Sequence, residues 1–401
     1  MLYASSYCRQ VLPLHSCFLM LRYSQLLFIT VRTATGFVKV RIFKCLNMIG
    51  GLFVIKRKSV KKYMRPAILF ICIVLIVALA SGCGSKESSE SDNKIKIMTT
   101  IFPEYDWVKN ILGSQTDNVD LVLLVDDGVD LHSYEPSAED ISTISDCDLF
   151  IYTGGESDDW VDDALDQATN KDMEVMNLMD VLGDSVKTEE AVEGMQEEEH
   201  EHDEQGDEDH EDSDHEDEEG HEEEKDEHVW LSLKNAEKIC SEITERLDSI
   251  DPENKSLYDE NEAAYAKELA VLDSRYKETV DNSKRKTVLF ADRFPFRYIA
   301  DDYDLKYYAA FAGCSAETEA SFETVKFLAE KVDELDLPCV LTIEGAKHKI
   351  AETVISNTSS KDQKILTMDS MQSVSSDDVK DGASYISIMG KNLDVLKEAL
   401  N

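Results

Sequence analysis

No two of the nine cysteines form a Cys-x-x-Cys pair, so the paired thiolates of a structural zinc cluster are missing. There is no His-Glu-x-x-His, the helical signature of zinc peptidases, and no Gly-x-x-x-x-Gly-Lys-Ser/Thr. Any ATP hydrolysis coupled to this protein must therefore reside in another chain. Positive charge is scarce: 41 Lys and Arg face 82 Asp and Glu, for a net charge of −41. That balance excludes a phosphate-reading surface and with it nucleic acid as a partner, and it suits a face that attracts cations. The strongest apolar run, Ile68 to Leu79, is shorter than the ~20 residues a membrane-spanning helix needs.

What is present begins with that run. Lys56, Arg57, Lys58, Lys61, Lys62 and Arg65 precede it, and Ala80-Ser81-Gly82-Cys83 follows it. A basic stretch, a short apolar stretch and small residues make a secretory signal. The small-small-Cys ending resembles a bacterial lipobox, which would put a lipid on Cys83. Ala80 stands where Leu is commoner. Residues 64–83 are thus read as a lipoprotein signal and the Ser-rich residues 84–93 as a flexible tether. Residues 1–63 are basic and apolar, unlike the acidic remainder, and are read as an extension upstream of the true start at Met48 or Met64.

The most unusual stretch is QEEEHEHDEQGDEDHEDSDHEDEEGHEEEKDEH, from Gln196 to His228, followed by VWLSL. It has no apolar periodicity, so residues 196–227 are expected to form a solvated, disordered loop. Acidic runs often only solvate. Here five histidines (His200, His202, His210, His215, His221) lie among the acids, which points to an accessory store of divalent metal.

On either side of the loop, apolar strand-like segments alternate with helical ones, the pattern of parallel sheets with helices on both faces. Strands are expected at Lys94–Thr100, Val119–Val125, Leu149–Tyr152 and Glu174–Leu178, and again at Thr287–Ala291, Leu305–Phe311, Cys339–Ile343 and Lys364–Met368. Ser137 with Asp140 reads as a helix N-cap. The stretch from Asn254 to Asp281 contains no Gly or Pro and is expected to be one helix about 40 Å long. The fold class is therefore α/β: residues 94–250 form an N-terminal lobe, 251–283 a rigid connector helix and 284–401 a C-terminal lobe.

In such folds ligands bind beyond the C-terminal ends of strands. His132, Asp292, Glu344 and Asp369 all follow strands, and His228 closes the acidic run. Two imidazoles and two carboxylates from facing lobes suit Zn(II) or Mn(II). Taken singly, Asp292 and Asp369 also read as caps of the turns that follow them, and His348 reads as exposed surface. Cys147, Cys240, Cys314 and Cys339 are scattered through the body, and a disulfide among them has no readable connectivity.

These residues resemble the metal-binding, substrate-binding lipoproteins of zinc and manganese ABC importers, on TTIFPEYDWVKNI, DLVLLVDDGVDLHSYEPSAED, GGESDDWVDDAL, DEHVWLS, FPFRYIADDYDL, VLTIEG, LTMDSM and YISIMGKNLDVLKEAL. The resemblance covers most of 94–401, and HSYEPS and HVWLS with a His-rich loop between them are its specific parts. It implies two α/β lobes joined by a long helix, with one metal in the cleft. It implies His132 and His228 as ligands from the first lobe and Asp369 from the second, with Glu344 nearby or in reserve. At the position of the family's third ligand stands Arg293, which has no acceptor, so the neighbouring Asp292 is expected to substitute. Leu131 replaces a usual Pro. The expected protein is a monomeric, non-catalytic, lipid-anchored receptor for Zn(II), with Mn(II) as the alternative cargo, serving an ABC permease and a separate ATPase subunit. The rival readings are a secreted metal buffer or adhesin, and a metallohydrolase using Glu344 as base.

Overall fold

The computed structural model describes residues 28–33, 36–41, 94–196, 224–315, 319–345 and 347–401. Cys83 and the five histidines of the acidic run lie outside the described residues. The chain divides into two units, 1–88 and 89–401. In the first, strands β1 (Phe28–Thr33) and β2 (Gly36–Arg41) pair antiparallel. Among the described residues no helix is long and apolar enough to cross a membrane.

The second unit holds two four-stranded sheets, every pairing parallel. The first is built from β3 (Ile95–Thr99), β4 (Val119–Leu123), β5 (Leu149–Tyr152) and β6 (Glu174–Asn177), in the order β4-β3-β5-β6. The second contains β7 (Thr287–Arg293), β8 (Lys306–Phe311), β9 (Cys339–Ile343) and β10 (Lys364–Met368), in the order β10-β9-β7-β8. Parallel strands need crossovers, and helices supply them. In the first lobe these are α1 (Phe102–Leu112), α2 (Ala138–Ile144) and α3 (Trp160–Asp166), and the short α4 (Leu178–Leu182) follows β6. The N-cap read from Ser137 and Asp140 is a reciprocal capping box: the Asp140 carboxylate accepts the Ser137 N–H at 2.7 Å, and Ser137 Oγ accepts the Asp140 N–H at 3.2 Å.

After α5 (Leu233–Ile250) comes α6 (Lys255–Asp281), the 27-residue connector. Its buried face carries Tyr258, Tyr265, Leu269, Leu272, Tyr276 and Val280, spaced by three, four or seven residues as one helical stripe requires. At one end Asn261 Nδ2 donates to the Ile111 carbonyl of α1 at 2.8 Å. At the other, Tyr276 Oη donates to the Met389 carbonyl at 2.7 Å. Met389 belongs to α11 (Tyr385–Ala399), which packs on β9 and β10. The second lobe also contains α7 (Arg297–Asp302), α8 (Phe322–Glu334), α9 (Lys349–Asn357) and α10 (Ser376–Lys380).

One apolar core runs through both lobes, taking Ile97, Leu149 and Ile151 from the first sheet and Phe290, Leu341 and Met368 from the second. A smaller cluster covers the outer face of each sheet. Inter-lobe polar contacts join the same seam. Tyr385 Oη donates to the Trp230 carbonyl at 2.6 Å, and Trp230 Nε1 donates to the Ser370 carbonyl at 2.8 Å.

One sequence expectation is corrected here. The last residues of the expected disordered loop, 224–227, take a defined structure, with only Glu224 and Lys225 exposed. Lys225 bridges Thr188, and Asp226 and Glu227 are buried. They are acids by composition but have specific partners in the site described next, which is what burial of a carboxylate requires.

Candidate metal centre

His132 sits in a single 3₁₀ turn, Leu131–Ser133, after β4. The Asp130 carboxylate begins that turn by accepting the His132 N–H at 3.1 Å. His228 precedes a second such turn, Val229–Leu231, at the entrance to α5. The two rings meet edge to face with centroids 5.3 Å apart, and their Nε2 atoms are 3.2 Å apart. His228 is fully buried and His132 half-buried.

What aims these nitrogens is the chemistry behind them. His228 Nδ1–H donates to Asp226 Oδ1 at 2.9 Å, which fixes the tautomer and leaves a lone pair on Nε2. His132 Nδ1 faces Ser157 Oγ at 2.7 Å and Glu227 Oε2 at 3.7 Å. Glu227 is itself located by its other oxygen, which accepts the Ser157 N–H at 2.9 Å. Oε2 is buried without a hydrogen bond and faces Nδ1 as an acceptor. Gly155 makes this fit: at φ 87°, a Cβ there would lie 2.4 Å from Glu227 Oε1.

The second lobe contributes from three loops. Gln372 Nε2 donates to His228 Nε2 at 3.0 Å. Behind it, Gln372 Oε1 accepts from Ser370 Oγ at 2.7 Å, and that hydroxyl also touches Glu344 Oε1. Glu344 Oε2 accepts the Ser370 N–H at 2.7 Å. Glu344 thus reaches His228 through Ser370 and Gln372. Burial, and then the charge of Asp369, push its carboxyl up to about 7. The loop after β8 brings in Cys314, whose Sγ and the ligand nitrogens of His132 and His228 all lie within 4.8 Å of one another. Among the described residues this is the one such group of three metal-ligating side chains. The ring of Trp230 lies 5.3 Å from that of His228.

Electrostatics set the two imidazoles apart. Burial, the neighbouring His228 and the Arg293 guanidinium hold His132 down at about 3. Burial also opposes a charge on His228, but Asp226 outweighs it and raises that histidine above its ordinary range.

Of the residues singled out in the sequence, the structure brings His132 and His228 together and places Asp292, Asp369 and Glu344 outside the group of three. Asp292 Oδ1 accepts its neighbour's N–H, from Arg293, at 3.0 Å, and Asp369 Oδ1 accepts the Met371 N–H at 2.8 Å, the capping roles weighed for both. Arg293 Nη2 pairs with Asp130 Oδ2 at 2.5 Å, joining the end of β7 to the turn that carries His132. His348 is half-buried rather than exposed and starts α9 in the left-handed region, φ 52°. Cys147, Cys240, Cys314 and Cys339 are all free thiols. In the sequence Cys314 stands only as a scattered thiol, although it follows a strand as the other candidates do, and Asp226 and Glu227 only as part of the acidic run before His228.

A family described as zinc-uptake complex component A, periplasmic (ZnuA), matches residues 97–399. The chain belongs to that family. It is 32% identical over 332 residues to the zinc-binding lipoprotein AdcA of Streptococcus pneumoniae, an alignment covering 82% of this chain and 59% of AdcA. It is 31% identical over 340 residues to the high-affinity zinc uptake system protein ZnuA of Bacillus subtilis, covering 85% of this chain and 98% of that protein. The crystal structure of the Zn(II)-bound ZnuA-like domain of S. pneumoniae AdcA superposes with a TM-score of 0.57 at 28% identity, covering 77% of this chain and 99% of that domain. The metal-dependent lipoprotein YcdH of B. subtilis gives 0.59 at 28% identity, covering 77% and 99%. Two parallel-sheet lobes and a long connecting helix are thus the ZnuA-family architecture.

Proposed function

We propose that this ZnuA-family protein captures Zn(II) outside the cytoplasmic membrane and hands it to an ABC permease powered by a separate ATPase subunit. The observation that carries the reading is the pair of Nε2 atoms 3.2 Å apart, each backed at Nδ1 by a hydrogen-bonding partner. Two nitrogens at about 2.0–2.1 Å from one tetrahedral zinc are about 3.3 Å apart. An arriving ion takes the lone pair of His228 from the Gln372 amide, and the buried carboxylates behind both rings offset its charge. A lipid on Cys83 would hold the receptor at the membrane as a monomer, in keeping with the lipoprotein names of AdcA and YcdH. The protein has a carrier's role rather than a catalyst's. Asp369, Asp292 and Glu344 supply carboxylate character around the ion, and His200, His202, His210, His215 and His221 an accessory store.

The test is a competition titration of Zn(II) and Mn(II) against a chelator, on the full chain and on one with residues 197–223 replaced by a short Gly/Ser linker. One tight zinc site in both proteins, lost in His132→Ala and in His228→Ala, is expected. Loss of all tight binding on loop replacement would leave a metal buffer instead, and a preference for Mn(II) would reassign the cargo.

A further inference from the structure

We propose that Cys314 is the third protein ligand of this centre, so that the ion is held by two imidazoles and one thiolate. The proposal rests on the receptor reading and assigns the donor set of the same site.

The loop after β8 is shaped to bring the sulfur there. Gly313 lies against His228: a Cβ at this residue would be 3.0 Å from His228 Cε1 and 3.1 Å from the Phe294 carbonyl oxygen. Any other side chain would push the loop, and Cys314 with it, off the ring. From the other side the Cys314 N–H donates to Glu189 Oε1 at 2.9 Å. Burial and the charges of Glu189, Glu227 and Asp226 push the thiol well above its ordinary range, so the sulfur stays protonated until an ion arrives, and the Glu227 backbone hydrogen-bonds it. The loop is therefore held at both its backbone and its thiol by the segments flanking the acidic run.

The distances are compatible. With Zn–N about 2.0–2.1 Å and Zn–S about 2.3 Å, a tetrahedral site has N–N and N–S edges of about 3.3 and 3.6 Å. The nitrogens already stand 3.2 Å apart, and the sulfur lies within 4.8 Å of both. Closing the group takes a movement of about 1 Å. The neighbouring second-lobe side chain on β7 is no rival: Arg293 has no acceptor and is tied to Asp130 and to the Ser315 carbonyl. Coordination breaks the Sγ–H bond, forms the metal–sulfur bond and releases the proton to solvent, with no change in oxidation state. Thiolate is a soft donor, so this set selects zinc and works against manganese.

Cobalt(II) reads the donor set directly. The full chain, reduced and stripped of metal, is loaded with one equivalent of Co(II) and compared with Cys314→Ser. A near-ultraviolet thiolate-to-cobalt charge-transfer band in the native protein, absent from the variant, is expected. Zinc should protect Cys314 from alkylation, and zinc affinity in Cys314→Ser should fall by at least about 100-fold. The histidines of the acidic run cannot produce that band. No band, together with undiminished zinc affinity in Cys314→Ser, would overturn the ligand assignment while leaving the receptor intact. Tight binding unchanged in His132→Ala and His228→Ala would sink the receptor reading itself.

Discussion

Asp226 shows how much a single carboxylate can settle. It receives both the backbone and the ring N–H of His228, each at 2.9 Å. It thereby determines which ring nitrogen is left to coordinate. Asp226→Ala should weaken zinc binding by about 10–100-fold without removing a ligand, as read by chelator competition. The same carboxylate raises the proton affinity of His228, whereas His132 is held down at about 3. Imidazolium cannot coordinate, so of the two rings it is His228 at which a proton competes with the ion. In Cys314→Ser, where no thiol proton is involved, zinc affinity should be flat above the pKa of His228. Below it, affinity should fall about tenfold per pH unit. A hundredfold fall per unit would mean that both rings compete.

At the scale of elements, the site depends on turns more than on helices or strands. The turn after β5 presents Ser157 and, through Gly155, accommodates Glu227. Gly155→Ala should cost roughly 1–3 kcal/mol in thermal or denaturant unfolding, because φ 87° strains any L side chain and the new Cβ collides with the carboxylate. It should also weaken zinc binding by displacing the partner of His132. Strands were readable because buried parallel strands are short apolar runs: β5, β9 and β10 lie at their expected bounds. The helices α4 and α10 were not readable, since five residues are too few to show a 3.6-residue period. His132 and His228 stood out because each sits in a distinctive motif. Cys314 did not, because its relevance depends on a contact across 86 residues of chain to His228 that composition cannot signal. Asp226 and Glu227 were hidden by resembling the run that precedes them.

For the whole molecule, the governing fact is the connector. Helix α6 is bonded to α1 at one end and α11 at the other, and an apolar core continues through both lobes. Such a body resists hinge bending, so capture should proceed by local loop adjustment. Small-angle scattering of the stripped and zinc-loaded protein should give the same radius of gyration. A clear contraction on loading would show that the lobes rotate. The acidic run is pinned at its start, where Gln196 N–H donates to the Ala310 carbonyl at 2.9 Å, and near its end, where Glu189 N–H meets the Glu224 carbonyl at 2.8 Å and Asp226 N–H meets the Lys187 carbonyl at 2.9 Å. Replacing residues 197–223 with a short linker should therefore leave the melting temperature unchanged or slightly raised, since a shorter loop loses less entropy on closure.

Trp230 gives this centre an optical voice. Its indole is fully buried, hydrogen-bonded to the Ser370 carbonyl and 5.3 Å from the ring of His228. A protonated imidazole beside an indole quenches its emission, and a coordinated one carries no such proton. Below the pKa of His228, loading with the filled-shell zinc ion should brighten the intrinsic fluorescence, and Trp230→Phe should silence that response while Trp107 and Trp160 go on emitting. Occupancy can then be followed in real time, without dye or label, by light from the protein itself.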